Sequence, residues 1–324
     1  MEYQITTTLG PSSAEEAIWR EMLAAGVSAF RLNTSHLTLG QLQDWLERTG
    51  KFFSTLEEKC PLVLDLQGSK WRLGQFAPFE LAAGERIELV CSPSTDREHA
   101  LPVPHADFFQ AAPSSSQEIV LNDARIRMQI ESMNSGSLKA RVMQGGSILP
   151  RKGITFSASN YRQESLNEKD RAILEQTRQL DYIHYAISYV KDGTEMAGYR
   201  ALFGPRAHLI AKIERQPAVD EALQIAELAD ELWLCRGDLG AELGVQAMAE
   251  AVHHFSGLPA RMARPVLMAG QVLEHMSASP DPTRSEVCYL YEALIQGYSG
   301  FVLSDETAIG QYPLASCRAA AMFR

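Results

Sequence analysis

The chain has 324 residues, a formal net charge of −10 at pH 7 and 45% hydrophobic residues. This length suffices for one large α/β domain or for a barrel with an insert. The acidic balance argues against a general nucleic-acid-binding protein, which would present a basic face. No apolar run is long enough to span a bilayer, and the first residues lack the basic start and apolar core of a signal peptide.

The cysteines give no sign of a disulfide framework. They are odd in number, scattered and without a CxxC pair: Cys60, Cys91, Cys235, Cys288 and Cys317. This usage favours reduced thiols in a cytoplasmic protein. None lies in a motif typical of a catalytic thiol.

The chain begins with alternating strand and helix patterns. "YQITTTLG" predicts a strand that ends at Gly10 and Pro11. In the following helix, Ser12 and Ser13 each precede a glutamate by three residues, which predicts a capping box, and Gly26 lies where the helix should stop. A strand "VSAFRLNTSH", a helix "LTLGQLQDWLERTGKFFSTLEEK" and an apolar strand "PLVLDLQG" come next.

From Lys70 to Gly153 the pattern changes to short alternating runs separated by turn signals such as "NSG" and "QGG". This pattern is typical of β-hairpins without helices. We therefore expect a small all-β lid domain over residues 70–153, inserted between two parts of a larger domain, residues 1–69 and 154–324.

After the insert, strands and helices alternate again. Over the whole chain there are eight strand patterns: "QITTTL", "SAFRLN", "PLVLDL", "DYIHYAI", "HLIAKI", "ELWLCR", "PVLMAG" and "GFVLSD". Eight strands separated by helices predict an α/β fold of the (β/α)₈ TIM barrel type.

Polar or charged residues follow six of these strands, in "RLNTSH", "LDLQGSK", "AKIE", "RGD", "AGQ" and "SDE". Catalytic groups of a (β/α)₈ barrel lie at the C-terminal ends of its strands. Strands also end in polar residues simply because loops are solvated. Six such ends in one chain favour a functional site.

Two strand ends carry the residue types needed for chemistry. Because side chains alternate along a strand, Lys212 and Glu214 share a face, as do Arg31 and Asn33. Carboxylates from adjacent strands, Glu214 and Asp238, suit Mg²⁺ or Mn²⁺. Lys212 beside such an ion could stabilise a transferring phosphoryl group. An internal salt-bridge network explains the same residue types equally well.

Other polar positions give weaker signals. Gly237 and Asp238 lie where a helix should begin, and free N–H groups there could hold a carboxylate or a phosphate. His36 is either a nucleotide contact or a capping residue. His253 and His254 have no companions at metal-ligand spacing, so we expect them at the surface.

Taken together, the motifs resemble those of the pyruvate kinase family. They occur in family order over nearly the full chain: "TTLGPSS", "AGVSAFRLNTSH", "LVLDLQGSKWRLG", "AKIERQPAV", "RGDLGAELG", "AGQVLEHM", "PTRSE" and "LSDETAIGQYP". The combination of "KIE", "RGDLG" and "PTRSE" at these separations is highly specific. The insert falls where that family carries its small lid domain.

The resemblance implies Mg²⁺-dependent phosphoryl transfer between phosphoenolpyruvate and ADP, giving pyruvate and ATP. It assigns Glu214 and Asp238 to the metal ion, Lys212 to the phosphoryl group in transfer, Arg31 to the substrate phosphate, the Gly237 and Asp238 backbone to the substrate carboxylate, and His36, Arg72 and Asn33 to the nucleotide. Mn²⁺ is the alternative ion.

Four further positions bear on activity. The resemblance places Ser304, a catalytic candidate, and Glu306 near the region of proton delivery. Gly270 stands at a substrate contact where the family carries a threonine, and Asn122 replaces a usual aspartate, which weakens the case for a second, nucleotide-bound metal. The space at Gly270 leaves open a lyase or decarboxylase acting on an oxaloacetate-like or enolate substrate. A non-catalytic metabolite-binding relative is the third possibility.

The family often needs a monovalent cation, held by groups matching Asn33, Ser35 and Asp65. Many members carry threonine, lysine and glutamate in the segment that here has Leu66, Gln67 and Lys70. The Lys70 ammonium can supply the charge that the ion would bring. We therefore expect no K⁺ requirement.

The chain ends at Arg324, inside the last predicted barrel helix. The family's C-terminal regulatory domain, which also forms subunit interfaces, is therefore expected to be absent, and with it control by a sugar phosphate. The expected partners are small molecules, without nucleic acid or membrane. A homo-oligomer through barrel surfaces stays open, and the expected location is the cytoplasm.

Overall fold

The structure is a computed structural model, and it describes residues 1–68, 71–112, 118–121, 125–134, 136–156 and 166–324. The chain divides into two compact units. The first comprises Met1–Gly68, Ser165–Arg236 and Ala251–Arg324, and the second comprises Ser69–Glu164 and Gly237–Glu250. The predicted domain boundaries after residues 69 and 153 stay a prediction.

Strands and helices alternate along the first unit, and the second is mostly β-structure. The strands are β1 Gln4–Thr8, β2 Ala29–Asn33, β3 Leu62–Leu66, β4 Phe79–Leu81, β5 Arg86–Val90, β6 Ala100–Pro102, β7 Glu118–Leu121, β8 Ile126–Asn134, β9 Ser137–Gln144, β10 Gly146–Ile148, β11 Ile154–Phe156, β12 Ile183–Ile187, β13 His208–Ile213, β14 Glu231–Cys235, β15 Val266–Ala269 and β16 Gly300–Leu303.

The helices are α1 Glu16–Ala24, α2 Leu39–Phe53, α3 Ala106–Ala111, α4 Glu168–Thr177, α5 Gly193–Phe203, α6 Gln216–Asp220, α7 Ala222–Leu228, α8 Arg236–Leu243, α9 Val245–Phe255, α10 Arg284–Ile295, α11 Asp305–Ala308 and α12 Pro313–Ala320. Short 3₁₀ turns cover Pro11–Ser13, Thr34–His36, Pro259–Arg261 and Glu274–Ser277. Among the described residues, no helix is long and apolar enough to cross a membrane.

The first unit is a closed barrel in which every strand pairs in parallel with its neighbours. The strand order is β1-β16-β15-β14-β13-β12-β3-β2. β3 pairs with β12 across the insert, with Asp65 opposite Ala186, and β1 closes on β16, with Gln4 opposite Gly300. Because all strands run the same way, their carboxyl ends gather at one end of the barrel.

Small and large apolar side chains fill the barrel. One buried cluster draws on seven of the eight strands: Ala29, Val63, Ala186, Ile210, Trp233, Cys235, Leu267, Ala269 and Val302. Side chains that meet from strands all around a closed sheet must lie inside it. The barrel is therefore a packed core rather than a pore.

The second unit has its own sheet and its own core. Its six-stranded sheet has the order β11-β7-β8-β9-β5-β6, and β10 pairs with β4. The core includes Trp71, Phe108 and Phe156, and the rings of Phe108 and Phe156 stack 4.5 Å apart. Phe108 lies on α3, a helix that the hairpin pattern of the sequence did not predict.

The eight predicted strands are confirmed, and so is the (β/α)₈ barrel with a β-rich insert. The predicted capping box at Ser12 and Ser13 is wrong. Helix α1 starts after Glu15, and the Ser13 hydroxyl instead accepts a hydrogen bond from the amide of Gly10, 3.1 Å away. Gly26 ends α1 with φ +98°, as predicted.

Candidate active site

A layer of polar side chains lies above the core at the carboxyl ends of four neighbouring strands, β2, β3, β12 and β13. Each of these residues follows a core residue by two positions: Arg31 after Ala29, Asp65 after Val63, Ser188 after Ala186, and Lys212 after Ile210. Residues two apart share one face of a strand. The fold therefore turns these polar side chains to the inside of the barrel.

Asp65 is the centre of this layer and is almost fully buried. Its Oδ2 accepts hydrogen bonds from Nε of Arg31 at 2.9 Å and from a terminal nitrogen of Arg31 at 2.5 Å. Its Oδ1 lies 3.2 Å from Nζ of Lys212 and 3.2 Å from the hydroxyl of Ser188. Burial acts to raise the pKa of Asp65, but Lys212 and Arg31 outweigh it and lower the pKa.

Lys212 connects both carboxylates of the site. Its Nζ lies 2.9 Å from Oε1 of Glu214 and donates to the Ser188 hydroxyl, also at 2.9 Å. Desolvation favours the neutral amine, yet Asp65 and Glu214 outweigh it and raise the pKa of Lys212. The side chain is therefore a fixed ammonium ion.

Glu214 is fully buried just after β13. Its Oε2 accepts a hydrogen bond of 2.8 Å from the backbone amide of Tyr189, just after β12. Arg31, Asp65, Lys212 and Glu214 thus form one continuous chain of alternating charges. The arrangement satisfies the salt-bridge explanation, and it also fixes two cations and two carboxylates at the barrel mouth.

Two loops meet behind Arg31. The hydroxyl of Thr8 accepts from Arg31 at 2.7 Å and donates to the carbonyl oxygen of Leu303 at 2.7 Å. Thr307 exchanges hydrogen bonds with the backbone of Thr8. The motifs "TTLGPSS" and "LSDET" are therefore one structural unit that holds Arg31 in place.

Ser304 and Glu306 lie in the second of these loops. Glu306 is buried, and its carboxylate accepts from the amides of Ser304 at 2.6 Å and Leu273 at 3.0 Å. Burial raises the pKa of Glu306. Its contacts are with backbone amides, so it supports the loop that carries Ser304.

Gly68 lies two residues after the end of β3, where the chain passes close to Ser188 of the site. It has φ +59°, and a Cβ placed on it would lie 2.1 Å from the carbonyl oxygen of Ser188. Its amide donates to Asp170 at 2.9 Å. Only glycine fits this close approach, which explains the glycine of "LDLQG".

Gly270 follows β15 with φ +80°, and Gln271 follows with φ +55°. The guanidinium group of Arg236 holds this turn through the carbonyl oxygens of Gly270 and Gln271, at 2.7–3.0 Å. It also lies 4.6 Å over the ring of Tyr289. A threonine at position 270 would be strained in this backbone.

The predicted helix start in "RGDLG" is confirmed, because α8 begins at Arg236 directly after β14. Gly237 and Asp238 lie in its first turn and belong to the second compact unit. A Cβ at Gly237 would meet no atom within 4 Å. The backbone of this turn is thus open on the side of Gly237.

The nucleotide contacts of His36, Arg72 and Asn33 stay a prediction. His36 is exposed, and Asn33 accepts from the amide of Ser35 at 3.2 Å within the 3₁₀ turn. Arg72, in the second unit, donates to the carbonyl oxygen of Arg151 at 3.0 Å. Lys70 and Asn122 lie outside the described residues.

Ser188, Thr8 and Tyr189 were missed by the sequence reasoning. A signal was present for Ser188 and Thr8, because each stands at the end of a predicted strand on its inward face. Across the described ranges, no group of three or more His, Cys, Asp or Glu side chains could hold a metal ion.

The sequence of residues 2–317 matches the family model for the barrel domain of pyruvate kinase. The chain belongs to the pyruvate kinase family. It is similar to the pyruvate kinases of Agrobacterium vitis, with 32% identity over 96% of this chain and 65% of the relative, and Aeropyrum pernix, with 31% over 97% and 68%. It is also 30% identical to that of Methylorubrum extorquens, over 96% of this chain and 65% of the relative. The chain spans about two thirds of the length of these pyruvate kinases.

Proposed function

We propose that the protein transfers a phosphoryl group between phosphoenolpyruvate and ADP in a Mg²⁺-dependent reaction that gives pyruvate and ATP. The observation that carries the proposal is the charge chain from Arg31 through Asp65 and Lys212 to Glu214, placed at the carboxyl ends of the barrel strands. The curated relatives that it matches are pyruvate kinases.

Lys212 and Arg31 are suited to a reaction in which negative charge moves between oxygens. Both cations are held by Asp65 before any substrate arrives. Preorganised charges stabilise a transition state without having to reorient. In this proposal Arg31 binds the substrate phosphate, and Lys212 contacts the phosphoryl group during its transfer.

Glu214 and Asp238 would hold the magnesium ion. Both offer hard carboxylate oxygens, which Mg²⁺ prefers. Mg²⁺ is commonly bound by one or two carboxylates and takes its other ligands from water and substrate. The ion would neutralise charge on the substrate oxygens.

Other residues are proposed to bind the substrate carboxylate and to deliver the proton to enolpyruvate. The backbone at Gly237 and Asp238, in the first turn of α8, would receive the substrate carboxylate, because the N-terminus of a helix attracts anions. Gly270 would lie against the substrate. Ser304 follows the core residue Val302 by two positions and is proposed to lie on the path of the proton that converts enolpyruvate to pyruvate.

Nucleotide contacts from His36, Arg72 and Asn33 are part of the same proposal. Independence from K⁺ is also proposed. Its support is that Asp65, one of the groups matching the cation ligands, already contacts Arg31, Lys212 and Ser188.

A coupled assay tests the proposal. The chain is mixed with phosphoenolpyruvate, Mg²⁺ and each nucleoside diphosphate in turn, and pyruvate is detected with lactate dehydrogenase. Turnover with a nucleoside diphosphate is expected, and its absence with all of them would contradict the proposal. Oxaloacetate in place of phosphoenolpyruvate detects a decarboxylase, and calorimetry with phosphoenolpyruvate detects binding without turnover.

A further inference from the structure

We propose that Arg215 and Tyr189 form a positioning pair that fixes the carboxylate of Glu214 and thereby sets the affinity of the protein for a divalent cation. The inference rests on the proposed role of Glu214 as a metal ligand. Neither Arg215 nor Tyr189 is expected to touch the ion or the substrate.

Tyr189 has an unusual backbone conformation. Its φ is +61°, in the left-handed region that large side chains rarely adopt. Such a conformation persists only where the surrounding structure holds it, and it concentrates at functional sites.

The conformation aims the amide of Tyr189 at Glu214. The N–H donates to Oε2 of Glu214 over 2.8 Å, and the Tyr189 residue itself is buried. Lys212 binds the other oxygen, Oε1, at 2.9 Å. One backbone amide and one ammonium therefore contact the two oxygens of the carboxylate.

Arg215 maintains the conformation from the other side. It is one of the largest fully buried side chains, donates to the carbonyl oxygen of Tyr189, and lies 4.9 Å over the Tyr189 ring. Burial raises the pKa of Glu195, and the charge of Arg215 acts in the opposite direction.

Two consecutive residues, Glu214 and Arg215, thus bind the backbone of Tyr189. The N–H of Tyr189 donates to Glu214, and Arg215 donates to the C=O of Tyr189. Removing the Arg215 side chain removes both its hydrogen bond to the carbonyl oxygen of Tyr189 and its contact with the Tyr189 ring, which favour the positive φ of this residue. The peptide can then relax toward the common region and turn its amide away from Glu214. Groups that orient a metal ligand in this way typically change metal affinity by about 10- to 100-fold when they are mutated.

The test is Mn²⁺ binding in the presence of oxalate, measured by electron paramagnetic resonance. Arg215→Met is expected to raise the dissociation constant of Mn²⁺ by about 10- to 100-fold. Arg200→Met is the matched control. Arg200 also donates from a partly buried position to backbone carbonyls, those of Ala207 and Leu228, but it has no contact with Tyr189 or Glu214 among its hydrogen bonds.

A second variant separates positioning from a general loss of stability. Glycine adopts positive φ without the strain of a side chain. Adding Tyr189→Gly to Arg215→Met should therefore recover most of the lost Mn²⁺ affinity, whereas adding Tyr189→Ala should not. Arg215→Lys, which keeps the charge but not the planar fork, is expected to fall between wild type and Arg215→Met.

The outcomes are distinct from those of the coupled assay. Wild-type affinity in folded Arg215→Met, or an equal loss in Arg200→Met, would overturn the inference even if the protein turns over phosphoenolpyruvate. Lack of rescue by glycine would also overturn it. If wild type binds no Mn²⁺, the proposed metal site and this inference fall together. Mn²⁺ binding that depends on Arg215 in a chain without turnover would support the inference and contradict the kinase proposal.

Discussion

Arg31 and Asp65 face each other from β2 and β3, and two nitrogens of Arg31 contact the same oxygen of Asp65, at 2.9 and 2.5 Å. The single-oxygen contact leaves the other oxygen of Asp65 for Lys212, 3.2 Å away. The buried carboxylate of Asp65 therefore lies between two buried cations, Arg31 and Lys212, and contacts each through a different oxygen. The consequences for stability and turnover can be measured.

Asp65→Asn is expected to destabilise the protein strongly. It removes the carboxylate that pairs with Arg31 and one of the two carboxylates that pair with Lys212, so the buried site gains net positive charge. Breaking a buried ion pair from one side costs about 3–5 kcal/mol in the free energy of unfolding, which urea denaturation can measure. Asp181→Asn is the control, since Asp181 forms an exposed ion pair with Lys59. If both variants unfold at the wild-type midpoint, Asp65 does not organise the site.

Lys212→Met is expected to lower turnover in the coupled assay by about two to three decades, because one preorganised charge is lost at the transferring group. The effect should appear in kcat with a smaller change in KM for phosphoenolpyruvate. Lys59→Met, which removes the lysine of the exposed pair, should retain wild-type kcat. A Lys212→Met variant with at least a tenth of wild-type kcat would exclude the proposed role.

Activity should not depend specifically on K⁺. The assay compares K⁺, Na⁺ and tetramethylammonium chlorides at one ionic strength. We expect equal rates, because the Lys70 ammonium is proposed to supply the charge that the ion would bring. A rate that rises strongly and only with K⁺ would contradict this prediction.

The buried Glu231 should make the free energy of unfolding fall as pH rises. It is buried at the start of β14, receives a hydrogen bond from the indole of Trp233, and burial raises its pKa from 4.5 to about 7. The folded state therefore binds the proton more tightly than the unfolded state. Between pH 4.5 and 7 this group's stabilising effect falls as pH rises, by up to about 3 kcal/mol.

Glu231→Gln should remove that part of the slope, because its amide oxygen can still accept from Trp233 without becoming charged. Its melting temperature should exceed that of wild type at pH 8 and approach it at pH 4.5. Glu227→Gln, at an exposed position of α7, is the control and should follow the wild-type curve. Parallel curves for Glu231→Gln and wild type would show that Glu231 stays charged when buried.

Gly270→Thr tests whether restoring the threonine hydroxyl that the family carries at this position would increase turnover. At φ +80° a threonine is strained, and we expect a destabilisation of about 1–3 kcal/mol without a gain in turnover. Gly40→Thr, in the exposed surface of α2 where a Cβ meets nothing within 4 Å, should be tolerated. A stable and more active Gly270→Thr variant would show that the turn can rearrange.

The barrel could be predicted from the sequence because its signals are local. Each strand is a short apolar run that ends in polar residues. Because side chains alternate along a strand, every second residue points into the barrel. The same alternation predicted that Lys212 and Glu214 share a face. Alternation could not show that Lys212 pairs with Asp65, because that contact depends on which strands become neighbours.

What the sequence could not predict depends on tertiary contacts. Ser13 has the spacing of a helix cap, yet its hydroxyl bonds to Gly10, because the chain makes a 3₁₀ turn before α1 begins. The positive φ of Tyr189 has no sequence signature, since tyrosine normally avoids it. Arg215 resembles an ordinary loop residue in the sequence, and its burial and its contact with the ring of Tyr189 appear only in the folded chain.

The pairing of β3 with β12 joins segments on either side of the insert, so Asp65 precedes it and Ser188 and Lys212 follow it. During synthesis Arg31 and Asp65 emerge long before Lys212. Contacts between distant segments form slowly because a long loop must close first. We therefore expect Asp65 to meet Arg31 before it meets Ser188 and Lys212, so that the charge chain is complete only once strands from both sides of the insert have paired.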